Sequence, residues 1–294
     1  MKRVLITGGH GFIGRNLAEK LCDDYDLYLP SSEELDLLDQ SAVADYLSQN
    51  CITHVIHTAV YNQRRRNISQ DRELSANLHM FFTLAEHASE LEKLIYLGSG
   101  AEYDKRRPIV MAEESAIGEC LPLMNDYGLS KYLMNLHARG SDNIYNLRLF
   151  GVFGPYEDWR TCFISNLCCK ALHDLPLTIR RECRFDFLYV DDLVEPLRWL
   201  LEEKPRFHDY NLCTGKPVLL SDIAKLVCQT AGKDLPIQIL ADGMAMEYTG
   251  SPMRLRGELP SFVPTSLEEA IARLYRFYEE NPLICDLEIL KHTK

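Results

Sequence analysis

No apolar run in the 294-residue sequence approaches the roughly 20 residues of a membrane-spanning helix, which argues against an integral membrane protein. Basic charge is in deficit: 32 Lys and Arg stand against 43 Asp and Glu, a net charge of −11. Such a surface repels nucleic acid and anionic membranes, and leaves a small anionic ligand to a local pocket of amides and arginines. The ten cysteines form no C-x-x-C pair and no framework spacing: Cys168 and Cys169 are neighbours, and Cys22, Cys51, Cys213 and Cys228 lie in apolar stretches. Reduced, buried thiols are expected, with no metal site. The opening Lys2-Arg3-Val4-Leu5-Ile6 lacks the apolar core of a secretory signal, so a cytoplasmic location is expected. With 16 Gly and 13 Pro there is no long flexible tract, and a 46% hydrophobic content can fill a sizeable core.

Short apolar runs alternate with helical periodicity through the first half. Strands are expected at residues 4–7, 27–29, 55–57, 93–98 and 144–150, and helices at 13–22 and 78–88, around 42–47 and from Tyr127 onward. This rhythm needs crossover connections, hence a mostly parallel sheet covered on both faces. Beyond Gly154-Pro155 the pattern loosens. It predicts helices at 163–172, 191–201, 220–229 (capped by Ser221) and 266–280, short strands at 177–180, 187–190 and 210–213, and an irregular tract at 244–264.

The first strand runs into Thr7-Gly8-Gly9-His10-Gly11-Phe12-Ile13-Gly14, directly before a helix. Gly8 permits the tight turn, Gly11 lets a pyrophosphate approach the backbone, and Gly14 lets helix and strand pack closely. The helix N-terminus offers free N–H groups and a positive dipole end to phosphate. Tyr127 and Lys131, four apart on a helix, share one face, where an ammonium lowers the phenol's pKa toward neutrality. Ser99 follows an apolar strand and so falls at the carboxyl edge of the sheet, where open α/β folds bind ligands.

Together T-G-G-H-G-F-I-G, the strand ending in L-G-S, Y-G-L-S-K, D-F-L-Y-V-D-D and Y-N-L-C-T-G resemble the extended short-chain dehydrogenase/reductases of the NAD-dependent epimerase/dehydratase type. Glu34-Leu35-Asp36-Leu37-Leu38-Asp39 and Leu97-Gly98-Ser99-Gly100-Ala101-Glu102-Tyr103 place the resemblance closest to the GDP-fucose synthase-like nucleotide-sugar 4-keto reductases. The resemblance implies an α/β fold: a Rossmann doubly wound parallel sheet over residues 1–158, with 186–214 returning to it, and a smaller C-terminal substrate-binding α/β lobe over 159–294. It also implies a homodimer acting on a nucleotide sugar. Ser99 would polarise the keto group, Tyr127 would exchange the proton, and Lys131 would hold the nicotinamide ribose and tune Tyr127. Cofactor contacts would fall on Gly8, His10, Gly11, Phe12, Ile13 and Gly14, then on Thr58, Ala59 and Asn77, with Asp36 and Leu37 on the adenine side. The place where NAD enzymes carry an acid falls at Ser31, with Ser32 next. That favours NADP(H), with Arg15 as a phosphate partner, over NAD(H), although Glu33 lies close by.

The departures narrow the reaction. Gly100-Ala101 stand where dehydratases of the family carry Asp-Glu, and Ala101 replaces the cysteine with which epimerising members move a proton. Residues 156–164 lack the matching histidine, Cys162 falling nearest to it. Carbonyl reduction without epimerisation is the expectation. A 4-epimerase with tightly held NAD and a non-catalytic dinucleotide sensor are the alternatives, and the intact Ser99, Tyr127 and Lys131 argue against the sensor. Glu102 is expected to be structural, Arg160 and Arg254 are candidate diphosphate ligands, and Arg64-Arg65-Arg66 is read as a solvated loop.

Overall fold

The computed structural model describes residues 1–61, 72–119, 121–122 and 125–293; Arg64, Arg65 and Arg66 lie outside them. Six strands, β1 (Arg3–Thr7), β2 (Asp26–Tyr28), β3 (His54–His57), β4 (Lys93–Ser99), β6 (Ile144–Leu149) and β11 (Asp209–Leu212), form one sheet in the order β11-β6-β4-β3-β1-β2. Every pairing in it is parallel. Strand order reverses at β1, so a crevice opens between the carboxyl ends of β1 and β3, where Thr7 is in register with His57.

Alternation within the strands decides which helices cover which face. Val4, Ile6, Ile56, Ile95, Leu97, Leu147 and Leu149 face the layer of α1 (Phe12–Leu21) and α6 (Val194–Glu202). Leu5, Val55, Leu94 and Tyr96 face α2 (Gln40–Gln49), α3 (Glu73–Ala85) and α4 (Asp126–Arg139). A further core joins α5 (Phe163–Leu172), α7 (Leu220–Ala231) and α9 (Leu267–Glu280). In α9 the Ser266 hydroxyl accepts from Glu269 N–H at 3.2 Å, and Ala270, Ile271, Leu274, Tyr275 and Tyr278 form the buried stripe.

The second half carries short strands: β5 (Ile109–Ala112), β9 (Arg184–Phe185), β12 (Val218–Leu219) and β14 (Tyr248–Gly250) make a sheet ordered β12-β9-β14-β5. Pairs are formed by β7 (Gly151–Phe153) with β10 (Phe187–Tyr189) and by β8 (Leu177–Ile179) with β13 (Ile237–Ile239). Three expectations are corrected here. The tract at 244–264 is not irregular throughout, because it contains β14 and α8 (Met253–Glu258). Ser221 does not cap α7: Leu219 occupies the cap position, and Ser221 N–H, inside the first turn, donates to Glu182 at 3.3 Å. The cysteines are not all reduced, since Cys169 on the buried face of α5 is bonded to Cys285, which the turn Pro282–Ile284 brings to a Cα separation of 6.2 Å. Among the described residues no helix is long and apolar enough to cross a membrane. The C-terminal α10 (Leu287–His292) packs on α5.

Candidate active site

The crevice at the strand-order reversal is tied together by short polar contacts. Thr58 Oγ1 donates to the Thr7 carbonyl at 2.7 Å, and the Thr7 hydroxyl lies 2.8 Å from Nδ1 of buried His57. Burial, and secondarily the Lys131 charge, push the His57 pKa down to about 3, so its ring is neutral. Gly8 has φ +68°, and a Cβ there would meet Ala59 backbone at 2.9 Å, so this close turn requires glycine. Gly11 precedes α1 with extended backbone and no side-chain cap, leaving the first-turn N–H groups of α1 for a ligand. These bare amides beside a turn closed to side chains fit a dinucleotide pyrophosphate. Asn77 pins the chain after β3, accepting from Tyr61 N–H at 2.8 Å and donating to Tyr61 C=O at 3.0 Å.

Around this cradle the other expected contacts are placed as follows. Phe12 and Ile13 open α1 half-buried, and His10 is exposed. Ser31 and Glu34 bond reciprocally: Ser31 N–H donates to the carboxylate at 2.7 Å, and Glu34 N–H donates to the Ser31 hydroxyl at 3.3 Å. Those bonds hold the Glu34 pKa below the usual carboxylate value, with His10 contributing as a nearby cation. Ser32 is exposed, Asp36 accepts from Leu38 N–H at 2.9 Å, and Leu37 is buried in the α2–α3 layer. Arg15 stacks 3.7 Å over the Tyr156 ring and pairs with Glu19 at 3.2 Å, on the side of α9.

Ser99 ends β4 and caps the short turn Gly100–Glu102. Its hydroxyl accepts from Ala101 N–H at 3.1 Å, while Glu102 accepts from Ser99 N–H at 3.0 Å. Asn125 caps α4, accepting from Gly128 N–H at 2.6 Å. A Cβ on Gly128 would meet the Ala101 carbonyl at 2.5 Å, so the bare glycine lets the helix lie against the Ser99 turn. Tyr127 and Lys131 are thereby carried to Ser99, with Lys131 Nζ 5.9 Å from the Tyr127 ring centre. Lys131 is buried and donates to Leu97 C=O at 2.8 Å; desolvation lowers its pKa to about 8, with Glu102 opposing. An ammonium one helical turn from a phenol stabilises phenolate, which is what a proton-exchanging tyrosine requires.

Beneath Ser99 lies a buried polar network. Arg148 donates from Nε to Glu102 Oε2 at 2.7 Å, from Nη2 to Asp209 at 3.0 Å and from Nη1 to Asn211 at 3.0 Å. Asn146 Nδ2 donates to both Glu102 oxygens at 3.1 Å. Burial works against the Arg148 charge, but Glu102, Tyr103 and Asp209 outweigh it and keep the guanidinium protonated. Glu102 is thus a structural carboxylate that fixes the Ser99 turn. The local sequence Ser99-x-x-Glu102 carries the signature of that cap.

Other candidates lie apart. Arg254 is held by Asp209 at 2.7 Å and Glu114 at 3.6 Å beside the edge strand β11, stacked 4.5 Å over Phe207. Arg160, exposed on the segment before α5, bonds Asp158 at 2.7 Å. Cys162 is half-buried at the start of α5, 3.9 Å from the Thr161 hydroxyl. A residue that the sequence did not single out also reaches the centre: Tyr248 of β14 hydrogen-bonds Ser99.

The NAD dependent epimerase/dehydratase family model matches residues 4–213, and the chain belongs to that family. It is 26% identical to ADP-L-glycero-D-manno-heptose-6-epimerase of Nitratidesulfovibrio vulgaris over 90% of each chain. It is 25% identical to GDP-L-fucose synthase of Escherichia coli, over 95% of this chain and 97% of that one. The GDP-mannoheptose C4 reductase of Campylobacter jejuni, solved with NADP bound, superposes with a TM-score of 0.81 at 17% identity, covering 95% of this chain and 98% of that one. Its relatives are nucleotide-sugar epimerases and reductases that use NADP or NAD.

Proposed function

We propose that this chain reduces the 4-keto group of a nucleotide-linked deoxy sugar with NADPH, without epimerising the flanking carbons. The observation that carries the reading is the meeting of Ser99, Tyr127 and Lys131 beside a turn, Gly100-Ala101, that offers no ionisable atom. A nicotinamide dinucleotide supplies the hydride when bound. Ser99 donates a hydrogen bond to the carbonyl oxygen, polarising it and fixing its position. Tyr127 gives that oxygen its proton, and Lys131 stabilises the resulting phenolate. The strand end and the N-terminus of α4 hold these groups on rigid elements, so the donors are already oriented before substrate arrives.

For the cofactor, the reading favours NADP(H) over NAD(H) because Ser31 and Ser32 stand at the end of β2 with hydroxyls and no charge. Glu34 opposes it with a carboxylate that the Ser31 amide already occupies. For the substrate diphosphate the reading keeps exposed Arg160 and drops Arg254, whose guanidinium is taken up by two carboxylates. A 4-epimerase holding NAD is the competing reading, favoured by the likeness to a sugar epimerase. The test is incubation with dTDP-4-dehydro-6-deoxyglucose and its GDP-mannose-derived counterpart in deuterated water. Alcohol formation that consumes NADPH one for one, with no deuterium entering beside the ketone before reduction, supports the reading. Deuterium uptake that Cys162→Ala abolishes sinks it.

A further inference from the structure

Tyr248 enters the site from the far end of the chain. Strand β14 runs parallel to β5 and meets β9, placing the Tyr248 ring 4.9 Å from Phe185 and 5.3 Å from Phe150, centre to centre. Lys105 Nζ sits 4.6 Å from the ring centre. Packed in this way and 9% exposed, the ring has little freedom to turn. Its hydroxyl reaches the Ser99 side chain, and it occupies space that only glycine leaves open: a Cβ on Gly100 would lie 2.6 Å from the Tyr248 oxygen. Burial pushes the Tyr248 pKa far up, so this phenol stays protonated, unlike one tuned for proton exchange.

A serine oxygen has two acceptor sites and one proton to give. Ala101 N–H fills one acceptor site of Ser99 at 3.1 Å. We propose that Tyr248 is a positioning residue: its O–H donates to the second acceptor site of Ser99 Oγ, so that the Ser99 proton can only be directed outward, to the carbonyl oxygen of the substrate. Donation into the serine oxygen also polarises its O–H and strengthens the hydrogen bond it gives. The inference rests on the reading of Ser99 as the group that polarises the ketone.

The test is a double-mutant cycle of Tyr248→Phe and Ser99→Ala, with dTDP-4-dehydro-6-deoxyglucose and its GDP-mannose-derived counterpart as probe ketones. Phenylalanine keeps the stacked ring and removes the hydroxyl alone. Loss of one oriented hydrogen bond corresponds to a fall in kcat of about tenfold. KM and the dissociation constant for NADPH, read by fluorescence titration, should stay within twofold of wild type. In the Ser99→Ala background the same substitution should cost nothing further in kcat. A purely structural tyrosine would instead lower thermal stability and weaken NADPH binding, with an equal effect on kcat in both backgrounds; that result overturns the inference. Unchanged kcat in Tyr248→Phe, with Ser99→Ala strongly impaired, overturns it while leaving the proposed reaction standing. Full turnover in Ser99→Ala overturns the proposed reaction and the role of Tyr248 with it. Should Tyr248→Phe not fold, Gly100→Ala displaces the same hydroxyl from the opposite side. It should reproduce the kcat loss, and wild-type turnover in that variant would refute the role assigned to Tyr248.

Discussion

Lys131→Met should abolish turnover and yet stabilise the protein. The lysine is fully buried, and its pKa falls from the ordinary 10.5 to about 8 because burial disfavours the charge. At neutral pH it is protonated in both folded and unfolded chains, so folding bears the cost of that displacement, about 3 kcal/mol. Methionine has similar length and no charge, but it leaves the Leu97 carbonyl without the 2.8 Å bond from Nζ, which offsets about 1 kcal/mol. The net gain is about 2 kcal/mol, or roughly 4 °C in Tm for a chain of this size. The pH dependence distinguishes this cause from better packing. Between about pH 8 and 10.5 the unfolded lysine holds a proton that the folded one has lost, so wild-type stability rises across that window relative to the variant. The variant's advantage should therefore shrink as pH climbs from 7.5 to 10, measured by thermal unfolding without cofactor. A variant less stable than wild type at pH 7.5, or an advantage indifferent to pH, would refute the reasoning.

Tyr127→Phe removes the proposed acid and keeps the ring, so kcat should fall by roughly a hundredfold or more, with calorimetry showing unchanged NADPH affinity. Ser31→Asp sets a carboxylate beside the ribose and should weaken NADPH while sparing NADH, as fluorescence titration of both cofactors would show. Glu102→Leu leaves the Arg148 charge held by Asp209 alone and frees the Ser99 N–H, which should cost about 3–5 kcal/mol and lower Tm by roughly 6–10 °C in calorimetry.

The cradle and the catalytic trio were legible because their signals are local. Glycines between a strand and a helix, a tyrosine and lysine one turn apart, and a serine closing an apolar strand each state their geometry within a few residues. The Glu102 cap was equally local, though its ion pair with Arg148 joins residues 46 apart in sequence. The later lobe gives no such signal. Strands β9, β12 and β14 have two or three residues each, too short for any alternation to show. Tyr248 owes its place to the pairing of β14 with β5, and the bond between Cys169 and Cys285 spans 116 residues.

That split has a chemical consequence. Every group proposed to act on the carbonyl oxygen comes from β4 or α4, elements fixed by the main sheet, and their arrangement suits reduction, oxidation or both in sequence. Epimerisation next to a ketone demands something else: a base on one face of the sugar carbon and an acid on the other, at a site the sheet edge does not reach. Those groups must come from the turn after Ser99 or from the later segments. In this chain the turn holds Gly100 and Ala101, one closed by the Tyr248 hydroxyl and both without a titratable atom. The opposite face is left to the segment before α5, where Cys162 is the one thiol, and a lone acid without a base can return a proton but cannot first remove one. Restoring a base is therefore the informative perturbation. Ala101→Cys should confer deuterium uptake beside the ketone only if Cys162 faces the substrate from the far side, so uptake in Ala101→Cys that persists in Ala101→Cys/Cys162→Ala would show that the second proton carrier lies elsewhere in the lobe.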